Sequence, residues 1–175
     1  MVESHLPAPV LADLLEHAAS APPGNFAEFG VYRGGTAQHL VKIARQRMSL
    51  LYLFDTFSGI PFQGPHDSHA VGDFSDTSYG AVRELIPDAI IIEGMFPQSV
   101  ERYDIHPERF AFVHVDADQY ESTIAAARFF QPLLVPGGLM IFDDYGSLEG
   151  VTRAVLDWGE PCDLTRYGRA LWRKG

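Results

Sequence analysis

Short apolar runs alternate with longer amphipathic segments along the whole chain. The runs are largely uninterrupted, as in strands that are buried on both faces of a parallel sheet. They occupy residues 26–29, 50–54, 89–93, 110–115 and 139–142, with a further run at 170–173. Between them, apolar residues recur at helical spacing. This spacing predicts helices over about 10–18, 36–47, 76–86, 99–103, 122–134 and 150–158, the second of them capped by Thr36.

This alternation of strands and helices predicts an open, mostly parallel α/β sheet with right-handed crossovers. No repeat or Pro/Gly/Ser-rich linker interrupts the 175 residues, which suit one hydrophobic core, so we expect a single domain over residues 1–175. A polar stretch at 56–75 is long for a loop in a compact domain and predicts a functional or mobile segment. In such sheets, ligands bind outside the carboxyl ends of the strands, at the topological switch point.

Acidic residues stand at the carboxyl ends of most of the predicted strands. They are Glu28, Asp55, Glu93, Asp116, Asp143 and Asp144. Carboxylates gathered at one sheet edge repel each other, and a fold tolerates them when a cation or hydrogen-bond donors compensate their charge. Any one of them could be a solvated loop acid. Together they predict a functional site at this edge.

The turn after the first strand, residues 28–36 (EFGVYRGGT), indicates what kind of ligand binds there. Its glycines are spaced G-x-x-x-G-G instead of the G-x-G-x-x-G of dinucleotide-binding turns, which argues against an NAD-dependent oxidoreductase. Glu28, before the first glycine, suits an ammonium group better than a pyrophosphate. Asp55, after the second strand, has the position and chemistry to accept hydrogen bonds from ribose hydroxyls. An adenosyl amino acid would satisfy both residues.

Composition narrows the class of partner. The formal net charge is −10, which disfavours a nucleic-acid partner because such a surface repels phosphates. No apolar run approaches the roughly 18 residues of a membrane span, and the N-terminus lacks the basic and then apolar plan of a signal peptide. Cys162 is the only cysteine, which excludes an internal disulfide and any multi-cysteine zinc site. We therefore expect a reduced, cytoplasmic protein that does not bind membranes.

Four motifs, in this order, carry a more specific resemblance. They are E-F-G-V-Y-R-G-G-T-A from Glu28, F-D-T-F-S-G-I-P from Phe54, H-V-D-A-D-Q-Y-E-S-T from His114 and P-G-G-L-M-I-F-D-D-Y-G from Pro136. In this combination the chain resembles the macrocin O-methyltransferase (TylF-type) family of class I methyltransferases, over roughly residues 25–146. The resemblance implies a Rossmann-like domain with a seven-stranded sheet that binds S-adenosylmethionine.

The resemblance also implies roles for individual residues. The methyl donor would contact Glu28, Gly30, Arg33, Gly34, Asp55, Ser58, Gly94, Met95 and Asp116. A divalent cation would be held by Asp116, Asp143 and Asp144, whose oxygen atoms favour Mg²⁺ or Ca²⁺ over zinc. Asp118 would be the general base that takes the proton of an acceptor hydroxyl. The other interpretation of Asp118 is an acid that stabilises the N-terminus of the following helix.

By this resemblance we expect a magnesium-dependent O-methyltransferase that acts on a hydroxyl of a small molecule, such as a sugar of a secondary metabolite. The alternative is a protein that binds S-adenosylmethionine without turnover, although a binder has no need of Asp116, Asp118, Asp143 and Asp144 together. Family members usually carry extra N-terminal helices, whereas this chain begins about 25 residues before its first strand. We therefore expect reduced N-terminal cover, which a homo-oligomer could supply. Catechol-type enzymes have a lysine base just after the first metal aspartate, and the lack of one here disfavours a catechol acceptor.

Two further groups of residues have simpler interpretations. His66, Asp67, His69 and Asp73 lie in the long polar segment and could form a second metal site or a proton shuttle. A solvated lid is the commoner arrangement, and it is the one we expect. His114 lies inside a strand and is expected to be a packed core histidine.

Overall fold

The computed structural model describes residues 2–103, 105 and 109–175, which form seven β-strands, five α-helices and one 3₁₀ helix. The strands are β1 (Asn25–Phe29), β2 (Leu51–Asp55), β3 (Ile90–Glu93), β4 (Phe110–Val115), β5 (Leu134–Phe142), β6 (Asp163–Leu164) and β7 (Ala170–Arg173). The helices are α1 (Ala8–Ser20), α2 (Ala37–Gln46), α3 (Tyr79–Leu85), α4 (Tyr120–Leu133), α5 (Glu149–Trp158) and the 3₁₀ helix Gln98–Arg102.

The seven strands form one sheet in the order β3-β2-β1-β4-β5-β7-β6. Strands β1 to β5 are parallel, whereas β7 runs antiparallel to β5 and β6 runs antiparallel to β7. This arrangement confirms the predicted mostly parallel sheet. The strand order reverses between β1 and β4, so the switch point at which ligands bind lies at the carboxyl ends of these two strands.

Apolar layers cover both faces of the sheet. On one face, Phe26 and Phe112 belong to a cluster that includes Leu14 of α1 and Leu40 of α2. On the other face, strand residues such as Phe142 pack with residues of α4 and α5. All six residues of β4 are buried, which explains why its sequence lacks the alternation of a half-exposed strand. The helices therefore cover the faces of the sheet and leave its carboxyl edge for the acidic residues.

The start of helix α3 differs from the prediction. The helix begins at Tyr79 and not at residue 76, and the hydroxyl oxygen of Ser78 caps it by accepting the N–H of Ala81 at 3.2 Å. Asp76 instead forms an ion pair with Arg33. A contact between residues distant in sequence has therefore removed Asp76 from the helix.

Strand β5 is longer than predicted. It begins at Leu134, whereas the Pro136-Gly137-Gly138 stretch was expected to form a turn before residue 139. The strand is irregular here, since Gly137 has φ +77° and the register with β4 shifts between Phe110 and Phe112. Gly137 donates its N–H to the carbonyl of Lys174, and Lys174 donates its N–H to the carbonyl of Gly138. The two-residue strand β6 was not predicted at all.

The start of helix α2 confirms the predicted boundary but not the predicted cap. Thr36 directly precedes the helix, yet its side chain does not bond to the helix backbone. Its hydroxyl lies 2.8 Å from the hydroxyl of Ser4, which ties the N-terminal segment to this turn. Within the residues that the structure describes, no helix combines the length and the apolarity needed to cross a membrane.

Candidate functional site

A cavity of about 560 Å³ opens at the carboxyl edge of the sheet. Most of the residues that the sequence assigned to a site line it: Glu28, Gly30, Asp55, Gly94, Met95, Asp116, Asp118, Asp143 and Asp144. The strands bring these residues together because their carboxyl ends meet at one edge. The cavity therefore lies at the carboxyl edge of the sheet, where the sequence predicted a site.

Three residues assigned to the donor site do not line this cavity. Arg33 forms an ion pair with Asp76, and its guanidinium carbon lies 5.0 Å from the centre of the Tyr32 ring. Gly34 faces the side chains of helix α3, where an added Cβ would meet Leu85 at 3.2 Å. Ser58 is exposed. Their contribution to donor binding stays a prediction.

At the glycine turn the neighbouring backbone of β4 leaves no room for a side chain on Gly30. Gly30 has φ +87°, and a Cβ at this position would lie 1.7 Å from the carbonyl oxygen of Asp116. Its N–H donates to the carbonyl of Phe54 at 2.9 Å. Only glycine combines this positive φ with so close an approach of another backbone. The turn thus places the end of β1 directly against the acidic end of β4.

Asp55 anchors the same turn, a structural role that the sequence did not predict. One of its carboxylate oxygens accepts the N–H groups of Val31 and Tyr32, at 2.7 and 2.8 Å. The other oxygen accepts the N–H of Phe57 at 2.7 Å. Because a carboxylate oxygen has two lone pairs, the oxygen that accepts two N–H groups is fully used, and only the oxygen bound to Phe57 can accept one further hydrogen bond.

Glu28, which lines the cavity, forms a buried pair with His114 behind it. They are neighbours in the β1–β4 register, and His114 Nδ1 lies 3.0 Å from Glu28 Oε1. Burial raises the pKa of Glu28, and the bond to His114 partly offsets this rise. His114 is fully buried, as predicted for a core histidine, but its partner was not predicted. The pairing depends on strand register, which the local sequence does not reveal.

Three carboxylates at this edge are close enough to share a cation. Oxygen atoms of Asp116, Asp118 and Asp144 all lie within 4.8 Å of one another. Burial, and then the charges of Asp143 and Asp118, raise the pKa of Asp116 well above its usual value. Burial and the neighbouring Asp144 raise the pKa of Asp118 to about 8. Such hard oxygen atoms suit Mg²⁺ or Ca²⁺, and a cation would compensate their mutual repulsion.

Asp143, the third predicted metal ligand, has a different partner. Its carboxylate is buried and forms an ion pair with Arg169, which lies just before β7 and also lines the cavity. Arg169 was missed because nothing in its local sequence marks it. The antiparallel return of β7 beside β5 brings it to this edge.

The long segment between β2 and α3 is held against the start of helix α4. Asp67 is buried, and its two carboxylate oxygens accept the N–H groups of Tyr120 at 2.8 Å and of Gly64 at 2.9 Å. Gln119 also donates its side-chain amide to the carbonyl of Phe62. At Asp67 the segment is therefore anchored and differs from the solvated lid that the sequence suggested.

Replacing Asp67 with alanine is expected to release this segment. Two partly buried N–H groups would lose their acceptor, so the free energy of unfolding should fall by about 1–3 kcal/mol. Hydrogen exchange should rise at residues 60–67 and at the start of α4. Asp73→Ala is the matched control, because Asp73 is exposed and accepts one N–H, from Ala70, in the same segment. Equal effects of the two substitutions would contradict the anchoring role.

The N-terminal segment supplies part of the cavity wall. Glu3, His5, Leu6 and Pro7 all line it, and the His5 ring lies 4.9 Å from the Tyr32 ring. The sequence predicted reduced cover from this end of the chain. The residues that precede α1 nevertheless cover the glycine turn.

Two curated relatives are similar in sequence to this chain. The 8-demethyl-8-(2,3-dimethoxy-alpha-L-rhamnosyl)-tetracenomycin-C 4′-O-methyltransferase of Streptomyces olivaceus is 30% identical over 159 residues, which span 80% of this chain and 59% of the relative. The mycinamicin III 3″-O-methyltransferase of Micromonospora griseorubida is 29% identical over 143 residues, which span 70% of this chain and 56% of the relative. The chain thus covers less than two thirds of the length of either relative.

A solved structure shows the same fold. The calicheamicin methyltransferase CalS11 superposes with a TM-score of 0.78 at 23% identity, over 95% of this chain and 77% of that one. The family model for macrocin O-methyltransferase (TylF) matches residues 11–166. This match covers most of the chain, including the glycine turn and the cavity carboxylates from Glu28 to Asp144, and the chain therefore belongs to the macrocin O-methyltransferase (TylF) family.

Proposed function

We propose that residues 1–175 form a single S-adenosylmethionine-binding domain that transfers a methyl group to a hydroxyl of a small molecule. The observation that carries the proposal is the meeting of two features at one cavity. A tight glycine turn beside the buried Glu28 suits the donor, and the carboxylates at the ends of β4 and β5 suit an acceptor hydroxyl.

The donor end of the cavity fits an adenosyl amino acid. Glu28 lines the cavity, and its Oε2 atom is buried without a hydrogen-bond partner among the described residues. An ammonium group would satisfy this oxygen. Asp55 retains one lone pair, on Oδ1, that could accept a ribose hydroxyl, and Gly94 and Met95 line the same cavity beyond it. Each feature matches a different part of S-adenosylmethionine.

The acidic end fits a divalent cation, which we propose is Mg²⁺. Asp116 and Asp144 would hold it, with Asp143 as the third ligand implied by the family resemblance. Bound there, the cation would lower the pKa of an acceptor hydroxyl. The close carboxylate oxygens of Asp116 and Asp144 support this assignment, whereas the Arg169 partner of Asp143 leaves its role to be tested directly.

Asp118 would take the proton of the acceptor. It lines the cavity beyond the end of β4, and its φ of +59° turns the chain just before helix α4 begins. Methyl transfer is an in-line displacement, so the chain must align donor and acceptor and accept one proton. The presence of Asp118 together with three potential ligands favours catalysis over binding without turnover.

The names of the two relatives suggest the acceptor class. One name places the methylated position on a substrate that bears a rhamnosyl group, and both describe O-methyltransferases of complex small molecules. We propose a glycosylated small molecule as the acceptor, and the net charge of −10 disfavours nucleic acid. We also propose a cytoplasmic location, which the lone Cys162 suggests. A homo-oligomer could add cover to the cavity.

Calorimetric titration with S-adenosylhomocysteine tests the donor site. We expect micromolar binding, and a change in affinity or enthalpy when a chelator replaces magnesium. S-Adenosylhomocysteine is the right probe because it keeps the adenosyl and amino-acid groups without being consumed. No binding in either buffer would overturn the proposed function.

A further inference from the structure

We propose that His114 is a positioning residue for the methyl donor. It holds one carboxylate oxygen of Glu28 and leaves the other to accept a hydrogen bond from the ammonium group of the donor. This inference rests on the proposed function and adds to it a residue that contacts neither donor nor acceptor.

The first step is the isolation of the pair within the sheet. Glu28 and His114 lie side by side in one row of residues that crosses the strands. The next residue in the row beyond Glu28 is Leu53, and those beyond His114 are Ile141 and Leu171. All three are buried and apolar. Neither side of the row therefore offers Glu28 a second hydrogen-bond donor.

The second step concerns the atoms that remain. With Oε1 of Glu28 bound to His114, its Oε2 has no partner among the described residues, and neither has His114 Nε2. A histidine that donates from Nδ1 leaves at Nε2 a lone pair, which is less costly to bury unpaired than an N–H group. The pair is thus the Nδ1–H tautomer of histidine donating to a carboxylate.

The third step is the direction in which the free oxygen can find a donor. The row is apolar on both sides, whereas Glu28 lines the cavity next to the glycine turn. A buried carboxylate oxygen without a partner is costly, so a ligand that brings a donor binds more strongly. His114 prevents the carboxylate from rotating away, because rotation would break the 3.0 Å bond.

The test compares two ligands that differ by the amino-acid group. S-Adenosylhomocysteine carries it, and 5′-methylthioadenosine has the same adenosine and thioether without it. His114→Leu should weaken the binding of S-adenosylhomocysteine about tenfold, which is the effect of one charge-assisted hydrogen bond. The same substitution should weaken the binding of 5′-methylthioadenosine less than about twofold. His114→Asn should bind both ligands as the wild type does, because its amide nitrogen is as many bonds from Cα as Nδ1.

Further variants separate positioning from packing. Glu28→Gln combined with His114→Leu should bind S-adenosylhomocysteine no more weakly than Glu28→Gln alone, since both act on one contact. Phe112→Leu is the matched control: Phe112 is fully buried on the same strand and face, and its replacement should not change the ratio of the two affinities. A spectroscopic measurement determines the tautomer of His114 in the folded wild-type protein. Histidine labelled with nitrogen-15 should show the Nδ1–H tautomer at His114, assigned by its loss in His114→Asn.

Three results would overturn the inference while leaving the proposed function intact. They are an equal loss of affinity for both ligands in His114→Leu, an additive loss of affinity for S-adenosylhomocysteine in the double variant, and an Nε2–H tautomer of His114 in the wild type. If wild-type protein binds neither ligand, the proposed function itself fails, and the inference fails with it.

Discussion

Replacing Gly30 with alanine should lower the free energy of unfolding by at least about 3 kcal/mol and abolish binding of S-adenosylhomocysteine. Two causes act together. The positive φ of +87° strains any residue with a Cβ, and that Cβ would lie 1.7 Å from the carbonyl oxygen of Asp116. The second cause is a clash with a backbone atom, and backbone cannot rotate away as a side chain can. Relief therefore requires β1 and β4 to separate at the edge where the donor is proposed to bind.

Gly159→Ala separates the two causes. Gly159 has a similar φ of +81°, but nothing lies within 4 Å of an added Cβ. Strain alone should lower the free energy of unfolding by about 1–2 kcal/mol and leave ligand binding unchanged. Urea unfolding of both variants measures the difference. If the two substitutions have the same cost, the close approach of β1 and β4 is not a constraint on the fold.

Asp118→Asn is expected to reduce turnover by about 10²–10⁴-fold while the affinity for S-adenosylhomocysteine stays within about twofold of the wild type. Asparagine preserves the shape of the side chain but cannot take the proton of the acceptor. Turnover would be measured as release of S-adenosylhomocysteine, first with a panel of rhamnosylated and other glycosylated small molecules to find an acceptor. Undiminished turnover in the variant would exclude Asp118 as the base.

Metal affinity distinguishes Asp118 from Asp143. If Asp143 is a ligand and Asp118 the base, Asp143→Asn should weaken binding of Mn²⁺, used as a probe for the site, and Asp118→Asn should not. The structure makes this comparison necessary, because Asp118 belongs to the close group of carboxylates and Asp143 is paired with Arg169. Loss of Mn²⁺ binding in Asp118→Asn alone would make Asp118 the third ligand.

The strands of the sheet could be predicted because a strand that is buried on both faces has a continuously apolar sequence. Strand β4 is buried along its full length and is therefore almost continuously apolar. The predicted boundaries of helices and strands were wrong where they depend on a contact with a residue distant in the sequence. Helix α3 starts late because Asp76 pairs with Arg33, and β5 starts early because Leu134 pairs with Phe110 of β4.

The position of the candidate site could be predicted for a related reason. Parallel strands end at a common edge, so acids that follow them, such as Asp55, Asp116 and Asp143, must come close together. The partners of these acids could not be predicted. Asp55 accepts three backbone N–H groups and Asp143 pairs with Arg169, and neither contact has a local signal.

The sequence by itself therefore determined the mostly parallel sheet, the glycine turn and the gathering of carboxylates at one edge. These features follow from periodicity and chain direction, which are local properties. Only the tertiary structure decided which carboxylates face one another, which are neutralised by protein groups and which remain free to bind a ligand. That decision depends on strand register and on contacts between distant segments. The pairing of Glu28 with His114 across β1 and β4 is the clearest case, because a shift of one residue in register would remove it.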